Sequence, residues 1–292
     1  MRSGLVAVAG RPNVGKSTLV NALAGEKVAI VSDKPQTTRR RISAVVDGEL
    51  DGEPHQLVLV DLPGFQRPRD ALTERMQRTV DEALVDVDGF LFVLAATETI
   101  GAGDRFIAER IYTAGPPVVV ALNKVDRVGP ERIAEQIVAA AALGDFHALH
   151  PVSALTGDGL GPLLADLACL LPEGPRYFEE GRRTDLPLEA RIGEIVREKA
   201  LELTRDEVPH ALTVEVEELD AAAGRVSARV WVETDSQKGI LVGKGGSMIR
   251  AIGTRARPEV ESLLGRPVFL ELRVKVRPRW RRDEGALESL GI

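Results

Sequence analysis

The sequence predicts an α/β fold in which a mostly parallel sheet is followed by a smaller α+β domain. Three observations support this prediction. Over residues 4–171, short apolar runs of strand character alternate with helical segments. Several of these runs end directly at a polar motif, as the strands of a parallel sheet do at its carboxyl edge. From residue 188 onward the order changes to α-β-β-α-α-β, which indicates a second domain.

Composition agrees with two soluble globular domains. A chain of 292 residues is long enough for about two domains, and 44% of its residues are hydrophobic and 28% charged. No apolar run approaches the ~20 residues of a membrane span. Cys169 is the one cysteine, which excludes an intramolecular disulfide and fits a reducing cytoplasm. Because its neighbours are leucines and alanines, Cys169 is expected to be buried.

A glycine-rich stretch follows the first predicted strand, residues 4–9, and opens a helix that ends at Gly25. Its G-x-x-x-x-G-K-S spacing is that of a phosphate-binding loop. Lys16 is expected to reach the β- and γ-phosphates, and the Ser17 hydroxyl to bind Mg²⁺. The flanking strand and helix disfavour the alternative of a turn that binds nothing. The predicted phosphate-binding residues are Gly10, Arg11, Pro12, Asn13, Val14, Gly15, Lys16, Ser17 and Thr18.

Residues 27–41 are polar, contain a proline and end in three arginines, which predicts a surface loop. Nucleotide switches place a γ-phosphate-sensing threonine in such a loop. Thr37 and Thr38 are adjacent, and the sequence leaves open which of them binds Mg²⁺. The arginines are equally consistent with a solvated surface and with RNA contact.

Two β-rich runs, 42–46 and 56–60, are separated by the turn-forming residues 47–54 and predict a hairpin. Asp61 follows the second run, where a carboxylate lies beside the phosphate loop and is placed to hold Mg²⁺ through water. The Gly64 N–H is expected to sense the γ-phosphate. A D-x-x-G tetrapeptide is also a common turn, so the evidence lies in its position; its residues are Asp61, Leu62, Pro63 and Gly64.

An N-K-x-D motif, Asn123–Asp126, ends the apolar strand 117–122. The Asp126 carboxylate can accept hydrogen bonds from guanine N1–H and N2–H₂, which adenine does not present together. The aliphatic stem of Lys124 can cover the base plane. A plain strand-to-loop turn is the alternative. Backbone N–H groups after the short strand 150–152 are expected to meet guanine O6, so the predicted base-binding residues are Asn123, Lys124, Asp126, Ser153 and Ala154.

In the second domain, a helix over 188–203 is followed by strands near 210–218 and 225–233, a helix toward Leu264 and a strand over 268–276. A G-x-x-G turn precedes the second of two helices, and its small residues let the phosphates of single-stranded nucleic acid approach closely. A simple packing turn is the alternative. The predicted RNA-binding residues are Gly243, Lys244, Gly245, Gly246 and Arg250.

Charge is distributed unevenly in this domain. Residues 186–237 carry 6 Lys/Arg and 12 Asp/Glu, whereas residues 238–292 carry 12 and 6, although the whole chain has a net charge of −6. The basic stretch ends at residues 277–282, which include Trp280. Basic residues with nearby aromatics suit phosphate contact and base stacking.

Taken together, the motifs of residues 4–171 resemble the translation-factor branch of small GTPases, and the C-terminal element order resembles a type II KH domain. This layout resembles the bacterial Era family over nearly the whole chain, including residues 10–17, the Gln36–Arg39 segment, Asn123–Asp126 and Gly243–Gly246. Leu62 stands where the family usually has threonine. The resemblance implies a P-loop GTPase domain over residues 1–172, a linker over 173–185, and a KH domain with a basic tail over 186–292.

The resemblance also implies a function: a cytoplasmic switch that binds GTP or GDP with Mg²⁺ and slowly hydrolyses GTP. Era proteins bind small-subunit ribosomal RNA near its 3′ end and assist maturation of that subunit. We expect a monomer, and some family members associate peripherally with the inner membrane. The alternatives are a constitutive RNA-binding module with negligible GTP turnover and a P-loop phosphotransferase, although the latter needs no N-K-x-D.

One departure from Ras-like GTPases concerns catalysis. Phe65 follows D-x-x-G where they have a water-orienting glutamine, and Gln66 lies one position late, so slow intrinsic hydrolysis is expected. Asn13 resembles the phosphate-loop asparagine with which some GTPases bind K⁺, although it is also suited to a local hydrogen bond. The residues expected to act in catalysis are Asn13, Lys16, Thr38 and Gly64.

Overall fold

The computed structural model describes residues 1–34, 37–64 and 69–292. The chain forms two compact units, the first mostly from residues 1–185 and the second mainly from 186–292. Gln36, Phe65 and Gln66, on which parts of the family resemblance and the catalytic expectation depend, lie outside the described residues. Within the described ranges, no helix is both long and apolar enough to cross a membrane.

The first unit is a six-stranded sheet in the order β2-β3-β1-β4-β5-β6, in which β2 is antiparallel to β3 and the other pairs are parallel. The predicted α/β class is confirmed. Its strands are β1 (Arg2–Ala9), β2 (Ile42–Leu50), β3 (Glu53–Asp61), β4 (Gly89–Ala95), β5 (Val118–Asn123) and β6 (Ala148–Pro151). Its helices are α1 (Lys16–Ala24), α2 (Ala71–Ala83), α3 (Ala102–Ala114), α4 (Pro130–Ala141) and α5 (Leu160–Cys169).

Helices cover both faces of this sheet, which explains its continuous apolar strands. All seven residues of β4 are buried. Leu91 and Val93 pack in one core with residues of α1 and α5, whereas Phe90 and Phe92 pack in the other with residues of α2, α3 and α4. Because both faces are covered, polar residues concentrate at the strand ends, and the carboxyl ends of β1, β3, β4 and β5 meet at one edge.

The predicted hairpin between β2 and β3 is confirmed, but its strands are longer than expected. They remain paired to Leu50 and Glu53. Asp51 and Gly52 alone make the turn, with φ of 52° and 80°. Asp-Gly readily adopts this pair of left-handed conformations and matches the twist of the strands, so pairing continues through residues predicted as loop.

The segment 173–185, predicted as a linker, is held along the first unit by hydrogen bonds. Val45 N donates to Arg183 O (2.9 Å), and Ser43 Oγ donates to Asp185 Oδ2 (2.7 Å). Fully buried Gln56 on β3 accepts from the backbone N–H groups of Tyr177 and Phe178 (both 2.9 Å) and donates to Phe178 O (3.0 Å). The segment therefore packs as part of the first unit.

Gln56→Leu is expected to release this segment locally. Three backbone groups would lose their buried partner, which costs about 2 kcal/mol and corresponds to roughly thirtyfold faster amide exchange. Hydrogen exchange of the Tyr177 and Phe178 amides measures the effect. Gln77→Leu is the control, since Gln77 makes an exposed side-chain bond to Asp81. Unchanged exchange in Gln56→Leu would mean that other contacts hold the segment.

The second unit contains a three-stranded sheet in the order β7-β8-β9, with β7 antiparallel and β9 parallel to β8. The α-β-β-α-α-β order is present, with two short helices in addition. The strands are β7 (Thr213–Asp220), β8 (Arg225–Val232) and β9 (Phe269–Val276). The helices are α6 (Leu188–Leu203), α7 (Val208–Ala211), α8 (Asp235–Val242), α9 (Ser247–Leu264) and α10 (Glu284–Ser289).

Two local expectations were wrong. His210 and Ala211 belong to the short helix α7 rather than to a strand. Pro209 precedes them, and proline suits the first turn of a helix but cannot donate a hydrogen bond within a sheet. Cys169 is exposed although its neighbours are apolar, because it lies at the end of α5, on the side away from buried Leu167 and Ala168.

Candidate nucleotide site and nucleic-acid interface

The phosphate loop connects β1 to α1 with a backbone that requires its glycines. Gly15 has φ of 97°, and a Cβ there would lie 2.4 Å from Asn123 Nδ2. At Gly10 a Cβ would lie 2.5 Å from the backbone oxygen of Val93. Asn13 is also left-handed, with φ of 66°, a conformation that asparagine tolerates better than most residues. The loop is therefore closely packed against β4 and β5.

Lys16 is buried at the start of α1, and its Nζ donates to the carbonyl oxygens of Gly10 (3.0 Å) and Arg11 (3.1 Å). Burial lowers the pKa of the Lys16 ammonium, while the charge of Asp61 opposes this shift. The ammonium thus lies within the curve of the loop, held by two neutral carbonyls that a phosphate can replace.

Three oxygen-bearing side chains converge beside Lys16. Ser17 Oγ donates to Asp61 Oδ2 (2.8 Å), and Thr38 Oγ1 lies 3.3 Å from both Asp61 Oδ2 and Ser17 Oγ. Of the two adjacent threonines, the structure thus places Thr38 at this cluster. Thr37 is half-buried beside it.

This cluster has the chemistry of a Mg²⁺ site. Asp61 is fully buried, and its Oδ1 has no hydrogen-bond partner among the residues that the structure describes. Burial raises the pKa of the Asp61 carboxyl, and the charge of Lys16 and the two hydroxyl hydrogen bonds offset part of this rise. Mg²⁺ prefers hard oxygen ligands and would favour the ionised carboxylate, so these residues fit the ion.

The remainder of the D-L-P-G motif lies against the phosphate loop. Leu62 and Pro63 are buried, and a Cβ at Gly64 would lie 3.5 Å from Pro12 Cγ. Gly64 is thus next to the first half of the loop, the position expected of a residue that senses the γ-phosphate.

Asn123 at the end of β5 connects three of the predicted motifs. Its Nδ2 donates to Val14 O (3.0 Å), and its Oδ1 accepts from the backbone N–H groups of Lys124 (2.8 Å) and Ala154 (3.0 Å). Both lone pairs of the oxygen are used, so Asn123 holds the base-binding residues on the phosphate loop. The Ala154 N–H, expected to meet guanine O6, donates to Asn123 Oδ1 in this structure.

The Asp126 carboxylate is oriented by the side chain of Ser153, for which the sequence predicted only a backbone contact. Ser153 is fully buried, and its hydroxyl donates to Asp126 Oδ1 (2.7 Å) while accepting from Thr156 N (3.1 Å). The prediction for Ser153 concerned its backbone, but the structure gives its hydroxyl the role of fixing the carboxylate. A short hydroxyl residue after β6 was the available signal.

Lys124 bridges the base-binding motif and the phosphate loop. It has a left-handed backbone, φ 66°, and its Nζ donates to the backbone oxygen of Asn13. Its stem passes over the loop, and Lys124 Cε would lie 3.9 Å from a Cβ at Gly15. The Lys124 stem is therefore placed beside the phosphate loop, where it can form one wall of a base-binding site.

Two further side-chain contacts of this site escaped sequence reasoning. Asn21 on α1 accepts from Val28 N and Ala29 N (both 2.9 Å) and donates to Ala29 O (2.7 Å), which fixes the start of the first switch segment. The Arg11 side chain bonds to Asp104 on α3. Neither a side chain that bonds to the backbone several residues away nor an ion pair across the fold leaves a short motif in the sequence.

The G-x-x-G turn, Gly243–Gly246, lies in the second unit between α8 and α9. Gly243, Gly245 and Gly246 have φ of 69°, 61° and 78°. Lys244 is exposed, and a Cβ at Gly245 or Gly246 would have no described atom within 4 Å. Among the described residues, no side chain caps the N-terminus of α9, and Ser247 and Arg250 in its first turn are exposed.

The expectation of base stacking by Trp280 was wrong. Its side chain is fully buried, and Nε1 donates to Ala211 O (2.9 Å). Arg281 beside it is paired with Glu233 (2.6 Å). The large ring of Trp280 therefore lies in the interior of the second unit, whereas Arg279 and Arg282 remain exposed.

Comparison with known families adds independent evidence. Residues 5–124 match the model of a family described as 50S ribosome-binding GTPase, and residues 207–281 match the KH domain model. The GTPase Era of Mycobacterium tuberculosis (strain H37Rv) is 46% identical and covers 99% of this chain and 98% of that protein. The GTPase Era of Mycobacterium avium (strain 104) is 45% identical, covering 100% and 99%.

Two solved structures resemble the whole chain at 39% identity. One is Era in complex with MgGDPNP and nucleotides 1506–1542 of 16S ribosomal RNA, with a TM-score of 0.91 and coverage of 100% of this chain and 99% of that one. The other is a variant of Aquifex aeolicus Era bound to GDP and AlF4⁻, with a TM-score of 0.92 and the same coverage.

Proposed function

This chain belongs to the Era family of GTPases, and we propose that it is a GTP-driven switch that controls binding of the 3′ end of small-subunit ribosomal RNA. Hydrolysis of GTP to GDP and phosphate follows from the family. One observation carries the nucleotide assignment: Asn123 joins the phosphate loop to the base-binding motif. Neither a constitutive RNA-binding module nor a phosphotransferase needs a guanine-reading carboxylate so placed.

In the proposed mechanism, backbone N–H groups of the phosphate loop bind the phosphates and Lys16 exchanges its two carbonyl partners for phosphate oxygens. Ser17, Thr38 and Asp61 would hold Mg²⁺, which would supply positive charge at the phosphates. Gly64 donates its N–H to the γ-phosphate, and Asp126 reads guanine. The remaining residues hold these groups in place.

The RNA-binding assignment rests on the second unit. The exposed Lys244, the open backbone of Gly245 and Gly246, and the uncapped start of α9 suit contact with phosphates of single-stranded RNA. The related Era structure contains nucleotides of 16S ribosomal RNA. We therefore assign this chain a role in maturation of the small ribosomal subunit.

Measurement of RNA affinity in each nucleotide state tests the switch. A single-stranded RNA that matches the 3′ end of 16S ribosomal RNA is titrated with protein loaded with GDP or with a non-hydrolysable GTP analogue. Salt is held constant because phosphate contacts depend on it. Equal affinity in both states would leave a GTPase and an RNA-binding protein but no switch.

Potassium is proposed to assist hydrolysis near Asn13, in place of an arginine from elsewhere. Turnover in K⁺ is expected to exceed turnover in Na⁺ by about tenfold at matched ionic strength, because a cation near the β- and γ-phosphates stabilises developing charge. Single-turnover hydrolysis measures the ratio.

The control for this prediction must respect the backbone of Asn13. Asn13→Gly keeps a residue suited to φ of 66° and removes the side-chain oxygen, whereas alanine would add strain. The potassium advantage is expected to disappear in Asn13→Gly. Identical rates in both salts for the unmodified protein would refute the cation mechanism and leave Asn13 a structural role.

We also propose that the protein acts as a cytoplasmic monomer with peripheral association with the inner membrane. Light scattering tests the monomer, and cosedimentation with vesicles of bacterial inner-membrane lipids tests the association.

A further inference from the structure

Arg11, the second residue of the phosphate loop, has a side chain that binds two carboxylates outside the loop. Its Nε donates to Asp104 Oδ1 (2.8 Å) on α3, and its Nη2 donates to Glu98 Oε2 (2.9 Å) in the connection from β4 to α3. The stem is closely packed as well, since a Cβ at Gly103 would lie 2.9 Å from Arg11 Cδ. One guanidinium thus joins the loop to the start of α3.

The pair with Asp104 is the stronger of the two contacts. The Asp104 side chain is 1% exposed, whereas that of Glu98 is 40% exposed. The second Asp104 oxygen accepts from Gly101 N–H (2.8 Å) at the start of α3. Because Asp104 is buried and held in place by Gly101 N–H, removal of Arg11 would leave an uncompensated buried charge. The exposed pair with Glu98 contributes little to stability by comparison.

The two halves of the phosphate loop are held from different sides. Asn123 and Lys124 bind the backbone oxygens of Val14 and Asn13. In the first half, residues 10–12, the Arg11 side chain makes the contacts with α3 and the connection before it. This half lies against Gly64, since a Cβ at Gly64 would be 3.5 Å from Pro12 Cγ. The Arg11 carbonyl also accepts from Lys16 Nζ (3.1 Å). Arg11 therefore fixes the part of the loop that faces the predicted γ-phosphate sensor.

We propose that Arg11 is a positioning residue for GTP hydrolysis, which through its ion pair with Asp104 holds the first half of the phosphate loop in the shape that the γ-phosphate requires. This inference rests on the proposed binding of nucleotide phosphates by Gly10–Ser17. It assigns Arg11 an effect on triphosphate recognition and turnover, with little effect on GDP. A residue that merely stabilised the loop would affect both nucleotides alike.

Two variants separate this role from general destabilisation. Arg11→Met keeps the stem and removes the charge. Asp104→Asn keeps an acceptor for Gly101 N–H but presents an NH₂ group to Arg11. Single-turnover rates and the affinities for GDP and a non-hydrolysable GTP analogue are measured for each variant and for the double variant. Arg110→Met is the matched control, because Arg110 also forms an ion pair with an aspartate, Asp81, in the same unit.

Each variant is expected to lower the hydrolysis rate about tenfold and to weaken the GTP analogue several-fold, because small displacements of a positioned loop have effects of this order or larger. GDP affinity is expected to change less than about twofold, since GDP lacks the γ-phosphate that this half of the loop is proposed to position. Arg11→Lys, which can reach Asp104 alone, is expected to restore part of the rate. The double variant should be no worse than either single variant, because both remove the same interaction.

Equal losses of GDP and GTP-analogue affinity, or unchanged hydrolysis in Asp104→Asn, would overturn the proposal. Thermal melting identifies a variant that fails to fold, and the judgement then rests on the other one. A failure of the unmodified protein to bind either nucleotide would contradict the proposed function itself, which keeps the two failures distinct.

Discussion

Asp126→Asn is expected to weaken GTP binding roughly a hundredfold or more, which corresponds to a loss of about 3 kcal/mol from two charge-assisted hydrogen bonds. The amide N–H₂ would face the N1–H and N2–H₂ donors of guanine. Xanthine has a carbonyl in place of the guanine amine and can accept from this amide. Preference is therefore expected to shift to xanthosine triphosphate, and competition binding with the two nucleotides measures it.

Asp51→Asn is the matched control, since Asp51 lies at the hairpin turn with φ of 52°, which asparagine adopts readily. GTP preference should remain unchanged in this variant. Ser153→Ala removes the hydroxyl that fixes Asp126 and is expected to give a smaller loss without a shift to xanthosine triphosphate. An unchanged GTP preference in Asp126→Asn would refute Asp126 as the base-reading carboxylate.

The double substitution of Lys244→Asp and Gly245→Asp is expected to abolish single-stranded RNA binding while GTP binding and hydrolysis remain. Two carboxylates would face the RNA phosphates at the G-x-x-G turn. The fold should tolerate the change, because Lys244 is exposed, Gly245 has open space around it, and aspartate adopts a φ near 61° better than most residues. RNA affinity at fixed salt is the measurement.

A control double variant carries the same change of charge in the same unit. Lys275→Asp lies on β9, and Gly265→Asp lies at the end of α9 with φ of 66° and nothing within 4 Å of a Cβ. A modest loss of RNA affinity from long-range charge is expected there. Equal affinity in the Lys244 and Gly245 variant and the unmodified protein would mean that the G-x-x-G turn has a structural role alone.

Much of the architecture could be predicted from the sequence, because the informative features are local. Glycines such as Gly15 and Gly243 occupy left-handed or crowded positions that other residues would not tolerate. Such positions can be recognised from the spacing of the glycines alone, without knowledge of the tertiary structure. Apolar runs of strand length that end at Asp61 and Asn123 place these residues at a sheet edge. The order of such elements was enough to predict both folds and, through the resemblance, the family.

Tertiary structure alone decided which side chains meet. Thr37 and Thr38 are equivalent in sequence, and only the path of the switch segment brings Thr38 to Asp61. Arg11 and Asp104 lie 93 residues apart in the chain, so no short motif could have predicted their ion pair. The basic residues around Trp280 suggested base stacking, yet its side chain is buried within the second unit. Hydrogen bonds, burial and ion pairs depend on elements distant along the chain, so their partners are set by packing and not by local pattern.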